Sequence, residues 1–401
     1  MNIKRLETSR LFHRFGFGPR PGEYAQALKD GVQTTRTRLT TVPATLTTST
    51  PVALPAITDL GKRPKDKTPE SVPFALAMRS QTQQMGLWWL DMMALSDHGL
   101  TERMVWFWHG HWATSIQKLN YALPMYKQNQ LFRTHALGNF NAMTKAMLND
   151  GALQFWLDGQ DNTAKAPNEN LGRELMELFV LGVNRYSEDD VKAISRVLTG
   201  YQVEKSSGVV TINQNRRDTS PVTLLGKTGS FTGDSLTDFL VARDDCATFI
   251  SERLWYRFIS STETMPTSFS AKKGFATRDI ATTIQAMAAD PSMSDEKYAM
   301  VKSPVEWFIS ACRALELTPS ALKTPAQLNN HLDKLGQVPF NPPNVGGWPA
   351  GEAWLSSATA QYRLAFAEWL IKQSSLSALQ QIPQDSRVLK SADWLGIPEW
   401  S

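Results

Sequence analysis

Two histidines in an aromatic run are the first residues of this sequence whose type suggests chemistry. His109 and His111 lie in the stretch Trp106-Phe-Trp-His-Gly-His-Trp112, with Gly110 between them. Imidazole is a common metal ligand. Residues two apart on a continuous helix point about 200° apart, so both rings can face one ion only if the helix ends or unwinds at Gly110. The alternative is a pair of core histidines that bond to backbone groups or carboxylates.

A second set of chemical groups lies on one predicted helix that covers residues 168–182, with Asn168 as its N-cap. At about 100° per residue, its apolar side chains cover two nearly opposite sides, which indicates a buried helix. Asn170, Glu174 and Glu177 then fall on one strip. A buried carboxylate needs a counter-charge, a hydrogen-bond network or a metal ion.

Arg173 can supply an ordinary counter-charge on this helix, because it is four residues from both Glu169 and Glu177. Glu174 has no such partner within the helix, so it is the first carboxylate that we expect to act as a ligand. In an active site, Arg173 would orient a carboxylate or another anionic group of the substrate.

The two sets together predict a mixed imidazole and carboxylate site. The residues that we expect to hold a divalent ion, zinc or manganese, are His109, His111 and Glu174. Glu177 or Glu169 would serve as a further ligand or as the general base toward a metal-bound water. The Glu-x-x-His spacing of di-iron helical proteins is absent from the Glu174 helix.

Helices must position these residues. Apolar residues recur at spacings of three and four from residue 73 onward, in the stretches 74–95, 104–112, 132–148, 246–258, 278–288 and 305–315. Ser187 and Asp190 form a capping-box pattern ahead of a further helix. The sequence therefore predicts an all-α, mainly helical fold in a single large domain, residues 1–401.

Three segments interrupt the helical pattern. Residues 40–72 are rich in Thr and Pro and predict a surface loop or linker. Residues 202–236 contain two short β-prone runs and predict a small two-stranded insertion. Residues 338–351 are rich in Pro and Gly and predict an extended strap with Phe340 and Trp348 as apolar anchors. The strap either lies over the helical core or walls a pocket.

Charge and composition exclude several classes of protein. The 401 residues include 42 basic and 38 acidic side chains, a net charge of +4, which gives no electrostatic argument for nucleic acid or membrane lipid. Leu224-Leu-Gly-Lys-Thr-Gly229 lacks the earlier glycine of a phosphate-binding loop, so we expect no nucleotide cofactor. There is no Gly-x-Ser-x-Gly elbow of a serine hydrolase. Cys246 and Cys312 are expected to be reduced core thiols.

The sequence also bears on the location of the protein. No window approaches 18 consecutive apolar residues, so we expect no transmembrane segment. Residues 11–24 contain several charged side chains and do not form the apolar run of a signal peptide. The expectation from these features is a soluble, cytoplasmic protein, with export as the alternative if the N-terminus has been trimmed.

Five successive motifs resemble those of a bacterial domain-of-unknown-function family, number 1800. They are His13-Arg-Phe-Gly-Phe-Gly18, Trp106-Phe-Trp-His-Gly-His-Trp112, Asn168-Glu-Asn-Leu-Gly-Arg-Glu-Leu-Met-Glu-Leu-Phe179, Tyr186-Ser-Glu-Asp-Asp-Val191 and Pro339-Phe-Asn-Pro-Pro-Asn-Val-Gly-Gly-Trp-Pro349. The resemblance implies a single, mostly helical domain and supplies no activity. It also implies export and a co-encoded partner with a phosphatase-like or sulfatase-like fold.

The chain departs from this family at one position of the β-prone insertion. Relatives tend to carry a His-Asp pair there, ahead of a Leu-Gly, whereas this chain has Arg217-Asp218 before Leu225-Gly226. If that histidine is a ligand in relatives, this protein is an altered member.

Two hypotheses for function follow. The first is a metal-dependent enzyme with a pocket between the histidine segment and the Glu174 helix. A hydrolytic reaction is slightly favoured over a redox reaction, because no redox cofactor motif is present. The second is a non-enzymatic binding or assembly protein, in which the same polar residues form a buried structural network.

Overall fold

The computed structural model describes residues 3–267, 269 and 275–375. In that part of the chain the protein is mainly helical, with 17 helices, as the apolar periodicity predicts. The first nine are α1 (Ile3–Arg14), α2 (Glu23–Asp30), α3 (Val32–Thr40), α4 (Ser71–Leu95), α5 (Gly99–His111), α6 (Ile116–Leu119), α7 (Ala122–His135), α8 (Phe140–Leu148) and α9 (Gly151–Trp156). The others are α10 (Asn170–Glu174), α11 (Glu188–Val197), α12 (Gly233–Val241), α13 (Asp244–Phe258), α14 (Ile280–Ala288), α15 (Pro304–Ala314), α16 (Pro325–Lys334) and α17 (Ser357–Ile371).

Four short strands form two separate two-stranded sheets. Strand β1 (Tyr201–Glu204) pairs antiparallel with β2 (Val209–Ile212), and β3 (Val222–Leu224) pairs with β4 (Lys227–Gly229). The two β-prone runs of the sequence are β2 and β3, yet each pairs with its own neighbour along the chain. The β3–β4 turn explains this, because Leu225 and Gly226 both have positive φ, 48° and 81°, as a two-residue hairpin turn requires.

Helix α5 lies at the centre of the molecule. All of its residues except Gly110 are buried, since apolar side chains occur on every side of the helix. Its two buried charges, Glu102 and Arg103, have partners outside the helix. Glu102 accepts hydrogen bonds from Arg133 over 2.7 Å and from the indole of Trp89 over 3.1 Å. Arg103 pairs with Glu306 at the start of α15.

The segment 168–182 is helical as predicted, but its winding changes from α to π at Leu175. Glu169, one residue later than predicted, is the N-cap, and α10 continues from Leu175 to Val180 as a π-helical turn. Gly182 ends the segment with a φ of 93°, the left-handed conformation that favours glycine. The capping box of Ser187 and Asp190 begins α11 as predicted.

The Pro/Gly-rich strap, residues 338–351, lies against α5. The carbonyl of Phe340 accepts the backbone N–H of Ile116 over 2.9 Å. The indole of Trp348 stacks on that of Trp106, with ring centroids 5.1 Å apart. Gly347 lies so close to α5 that a Cβ atom there would be 2.2 Å from the carbonyl oxygen of Gly110.

The Thr/Pro-rich segment contains no helix from residue 41 to residue 70. Several hydrogen bonds hold it to the helical body. The backbone N–H of Ser49 donates to the carbonyl of Leu95 over 2.7 Å, and the hydroxyl of Tyr121 donates to the carbonyl of Gly61 over 3.1 Å. None of the helices in the described ranges is both long enough and apolar enough to span a membrane.

Candidate functional site

His109 is buried in a box of aromatic rings. Its side chain is 1 % exposed, and its ring centroid lies 5.2 Å from that of Trp89 and 5.4 Å from those of both Phe340 and Trp348. The backbone N–H of Phe340 donates to Nε2 of His109 over 3.1 Å. Because Nε2 accepts this bond, a neutral His109 carries its proton on Nδ1.

His111 lies in a different aromatic environment and holds the opposite tautomer. It is 2 % exposed, and its Nε2 is 2.9 Å from the carbonyl oxygen of Phe179. A carbonyl only accepts, so Nε2 of His111 carries the proton. Nδ1 is buried and has no hydrogen-bond partner in the described part of the chain.

Both imidazoles are neutral because burial disfavours the charged form. Burial lowers the pKa of His109 to about 3. Burial together with the nearby positive charge of Arg253 lowers the pKa of His111 to about 3.

The structure does not gather the predicted metal ligands around one point. Helix α5 runs through Gly110 to His111 without unwinding, so the two rings leave it on different sides and contact different residues. Within residues 3–267, 269 and 275–375, no group of three or more His, Cys, Asp or Glu side chains is placed to hold a metal ion. A shared ion for His109, His111 and Glu174 therefore stays a prediction, and the histidine contacts give it no support.

Glu174 and Glu177 do lie together, at the junction of α10 with the π-helical turn. Both are half-buried, and the hydroxyl of Tyr186 donates to Glu177. Burial raises the pKa of the Glu174 carboxyl, and the nearby Glu177 raises it further, whereas Arg173 lowers it. Burial and the bond to Glu177 raise the pKa of Tyr186 to about 12. Of this group, Glu174 alone makes no hydrogen bond or ion pair among the described residues.

Arg173 is engaged with two other carboxylates. It donates to Glu188 over 2.7 and 2.8 Å and to Glu169 over 3.2 Å. Hydrogen bonds to Glu188 raise the pKa of the Arg173 guanidinium, and the same contact lowers the pKa of Glu188. Glu169 is 42 % exposed, so the ordinary ion pair that the sequence suggests is present here and lies at the surface.

Asp218, the residue next to the position where the chain departs from the family pattern, is held by Arg196 of α11. Its carboxylate accepts from Nε of Arg196 over 2.7 Å, and this bond lowers the pKa of Asp218 to about 2. The carboxylate therefore has a cation as its partner.

A larger opening lies away from both sets of predicted residues. This groove has a volume of about 590 Å³ and is formed by the loop around residue 64, the first half of α4, helix α6 and helix α16. Five of its lining residues carry amide side chains and define what we call the amide groove: Gln83, Gln117, Asn120, Asn329 and Asn330. A volume of this size is within the range of small-molecule and cofactor sites.

The rest of the amide groove is mildly apolar and carries few charges. Phe74 contacts Tyr121 edge to face, with ring centroids 6.0 Å apart, and Met78 lies one turn further along α4. The charged residues of the groove are Arg63 and Asp66, which form a loose, exposed ion pair of 3.9 Å, and the exposed Arg79. No histidine, cysteine or lysine occurs among the described lining residues.

The amide groove could not be predicted from the sequence. Its walls come from segments more than 200 residues apart, and amide side chains have no characteristic spacing. The available signal is compositional: Gln81-Thr-Gln-Gln84 and Asn329-Asn330 place amides in the middle of amphipathic helices.

Comparison with known proteins identifies the family. No curated protein and no solved structure matches the chain. The sequence profile of a family described as "Protein of unknown function (DUF1800)" matches residues 10–394, nearly the whole chain. The match covers the motif of the two buried histidines, the Glu174 helix and the strap, and the chain belongs to the DUF1800 family.

Proposed function

We propose that this protein is a binding protein and that the amide groove takes a neutral, hydroxyl-rich ligand, an oligosaccharide. The observation that carries the proposal is the lining of the groove, where five amide side chains and the ring of Phe74 share a volume of about 590 Å³. The polar histidines of α5, in contrast, contribute to a buried structural network.

The chemistry of the lining favours sugar hydroxyls. An amide side chain offers two N–H donors and a carbonyl acceptor. A sugar hydroxyl also donates and accepts, so amides can bind several hydroxyls without burying a net charge. The half-buried ring of Phe74 offers an apolar surface for the C–H face of a sugar ring.

The same lining argues against catalysis inside the groove. General acid–base chemistry uses His, Cys, Lys or carboxylates that are shielded from water, and a serine or threonine nucleophile needs such a group beside it as a base. Among the described lining residues Asp66 is the one carboxylate, and its side chain is 87 % exposed beside Arg63.

Calorimetric titration with hexasaccharides tests the proposal. The probes are chitohexaose, cellohexaose and maltohexaose, and we expect one of them to bind. Gln117→Ala and Asn330→Ala should each weaken binding about tenfold, the loss expected for a direct hydrogen bond. Gln84→Ala is the matched control, because Gln84 is exposed on α4 next to Gln83 and does not line the groove. The proposal fails if no hexasaccharide binds, or if Gln84→Ala weakens binding as much as Gln117→Ala.

The carboxylate pair favours a second candidate, a hydrolytic enzyme. Glu174 is half-buried with a raised pKa, lies beside Glu177 and has no partner of its own in the described part of the chain. Two carboxyl groups with different environments are the basis of acid–base hydrolysis, and π-helical turns are frequent at functional sites. Glu177 would act as the base, and Glu169 would help Arg173 to bind an anionic substrate group. A zinc or manganese ion on Glu174 would make the reaction metal-dependent.

Metal analysis separates the two candidates. If the enzyme hypothesis holds, protein purified without added metal contains stoichiometric zinc or manganese, and chelation lowers its melting temperature. Glu174→Gln, which keeps the shape and removes the charge, should then lose the ion. Metal-free protein with an unchanged melting temperature after chelation would exclude the metal-dependent enzyme and leave the sugar-binding proposal untouched.

A further inference from the structure

A small pocket that is separate from the amide groove lies between the strap and helices α5, α13 and α15. Its cavity volume is about 20 Å³, enough for roughly one water-sized particle. Two guanidinium groups, one carboxylate and one amide line it, together with the stacked indoles of Trp106 and Trp348. We call it the guanidinium pocket, and its polar lining residues are Arg103, Arg257, Glu306 and Gln337.

The lining carries more positive than negative charge. Arg103 and Glu306 form an ion pair, whereas Arg257 forms no ion pair with a carboxylate of the described residues. In the same ranges Arg257 donates to two neutral oxygens, the carbonyls of Trp348 over 2.6 Å and of Pro349 over 3.1 Å. Burial and the neighbouring charge of Arg253 lower the pKa of Arg257 to about 10, as expected for a cation that lacks a counter-charge.

Two further guanidinium groups lie close to this pocket. Arg253 is one turn before Arg257 on α13, and its buried Nε has no hydrogen-bond partner among the described residues. Arg363 on α17 is 1 % exposed, and its Nε and Nη1 have no hydrogen-bond partner in the same ranges. The carboxylate of Glu306 acts electrostatically on both Arg257 and Arg363, so one negative charge is shared among several cations.

Gln337 adds a neutral donor to the pocket. Its side-chain oxygen accepts the backbone N–H of Val305 over 2.9 Å. The amide NH₂ group is therefore the end that remains for a ligand. The pocket combines a donor amide with an uncompensated guanidinium, and this donor set suits an anion.

We propose that the guanidinium pocket binds a single halide-sized anion, chloride, and that this anion stabilises the strap. The pocket has room for roughly one water-sized particle, which favours a single-atom anion over phosphate, sulfate or the carboxylate of a larger ligand. The anion would neutralise Arg257, whose guanidinium holds the carbonyls of Trp348 and Pro349, and would thereby hold the strap against α5. The site is independent of the oligosaccharide and of the Glu174 carboxyl.

Chloride titration of thermal stability tests the site. Sodium chloride replaces sodium gluconate at constant ionic strength, because gluconate is too large for the cavity. We expect a saturable rise in the melting temperature, as for a ligand that binds only the folded state. Crystals soaked in bromide should show an anomalous peak beside Arg257. A melting temperature independent of chloride, or bromide found only at other positions, would overturn the proposal.

Two variants make the test specific. A Cβ atom on Gly110, which lines the pocket, would lie 4.0 Å from the Trp348 ring, so Gly110→Ala should fill the cavity and abolish the chloride effect without changing any charge. Gly86→Ala is the control, since Gly86 is also inside a helix and a Cβ there meets nothing within 4 Å. Glu306→Gln removes the competing negative charge and should tighten chloride binding about tenfold. An unchanged chloride response in Gly110→Ala, or weaker binding in Glu306→Gln, would contradict the assignment.

Discussion

The backbone N–H of Phe340 donates to the ring nitrogen Nε2 of His109 over 3.1 Å. This bond joins the strap to the buried helix α5, and it exists only while Nε2 of His109 is unprotonated. The contact gives His109 a structural role, because the lone pair on Nε2 accepts the backbone N–H and does not serve as a metal ligand at the same time. His111, by contrast, uses its Nε2 proton to bind the carbonyl of Phe179.

Replacing His109 by Phe should destabilise the protein. The ring shape is kept, but the N–H of Phe340 becomes a buried donor without a partner, which costs about 1–3 kcal/mol. Urea denaturation followed by tryptophan fluorescence measures the free energy of unfolding. His135→Phe is the control, because His135 is only half-buried on α7 and should tolerate the change. Equal losses for the two variants would show that the Phe340 bond contributes nothing.

The pH dependence of stability should also depend on His109. Its pKa is about 3 in the folded chain and about 6.5 in the unfolded chain. Between these values the unfolded chain binds a proton that the folded chain does not, so this contribution to stability is lost as the pH falls below 6.5. The loss is about 1.4 kcal/mol per pH unit. Denaturation curves at pH 5.5 and 4.5, where the unfolded histidine is protonated, should therefore show a pH dependence of stability that is smaller by about this amount in His109→Phe. An unchanged pH dependence would contradict the assignment.

The titration of Asp150 should have the opposite effect on the pH dependence of stability. It caps α9, and burial raises the pKa of its carboxyl to about 6 although it accepts bonds from Leu153 and Gln128. Because the pKa of Asp150 is higher in the folded chain than in the unfolded chain, the folded chain binds one more proton between about pH 4 and pH 6. The contribution of this proton to the stability of the fold is fully present below about pH 4 and is lost as the pH rises through 6.

The variant Asp150→Asn tests whether the titration of Asp150 lowers stability as the pH rises. The amide oxygen can still cap the helix, and the side chain no longer loses a proton. Relative to the native protein, the variant should gain up to about 3 kcal/mol of stability between pH 4 and pH 7. The measurement is the free energy of unfolding of both proteins across this range. A constant difference between them would show that Asp150 titrates normally.

The helical body and the resemblance to the family could be predicted, because both depend on features of the linear sequence: the spacing of apolar residues and the order of the motifs. The capping box of Ser187 and the helix through Glu174 are local features, and both are present. The π-helical turn could not be predicted, because winding at 100° per residue assumes regular α-helix.

The candidate sites were harder to predict than the fold for a physical reason. His109 and His111 have the residue types of metal ligands, but their roles depend on the backbone groups of Phe340 and Phe179 that reach them from distant segments. The amide groove similarly joins Gln117 of α6 to Asn330 of α16. No spacing rule connects residues that meet only after the chain has folded.

The ion pair of Glu102 and Arg133 should matter much more than surface pairs. Arg133 donates to both carboxylate oxygens, over 2.7 and 2.9 Å, and the Glu102 side chain is completely buried. Glu102→Gln leaves a mostly buried guanidinium without its counter-charge, and breaking such a pair costs about 3–5 kcal/mol. Glu188→Gln, which disturbs the exposed pair with Arg173, should change the free energy of unfolding little. Chemical denaturation of both variants checks the contrast, and a small loss in Glu102→Gln would contradict it.

The close approach of the strap to α5 predicts a severe effect at Gly347. This residue has a φ of 79°, and a Cβ atom would lie 2.2 Å from the carbonyl oxygen of Gly110. Gly347→Ala should therefore strain the backbone by about 1–2 kcal/mol and also push the strap away from the helix. We expect a lower melting temperature and a changed near-ultraviolet circular dichroism, because the stack of Trp348 on Trp106 must loosen. Gly229→Ala, where a Cβ meets nothing within 4 Å, should leave both signals unchanged. If Gly347→Ala behaves like Gly229→Ala, the strap is not packed on α5 in solution.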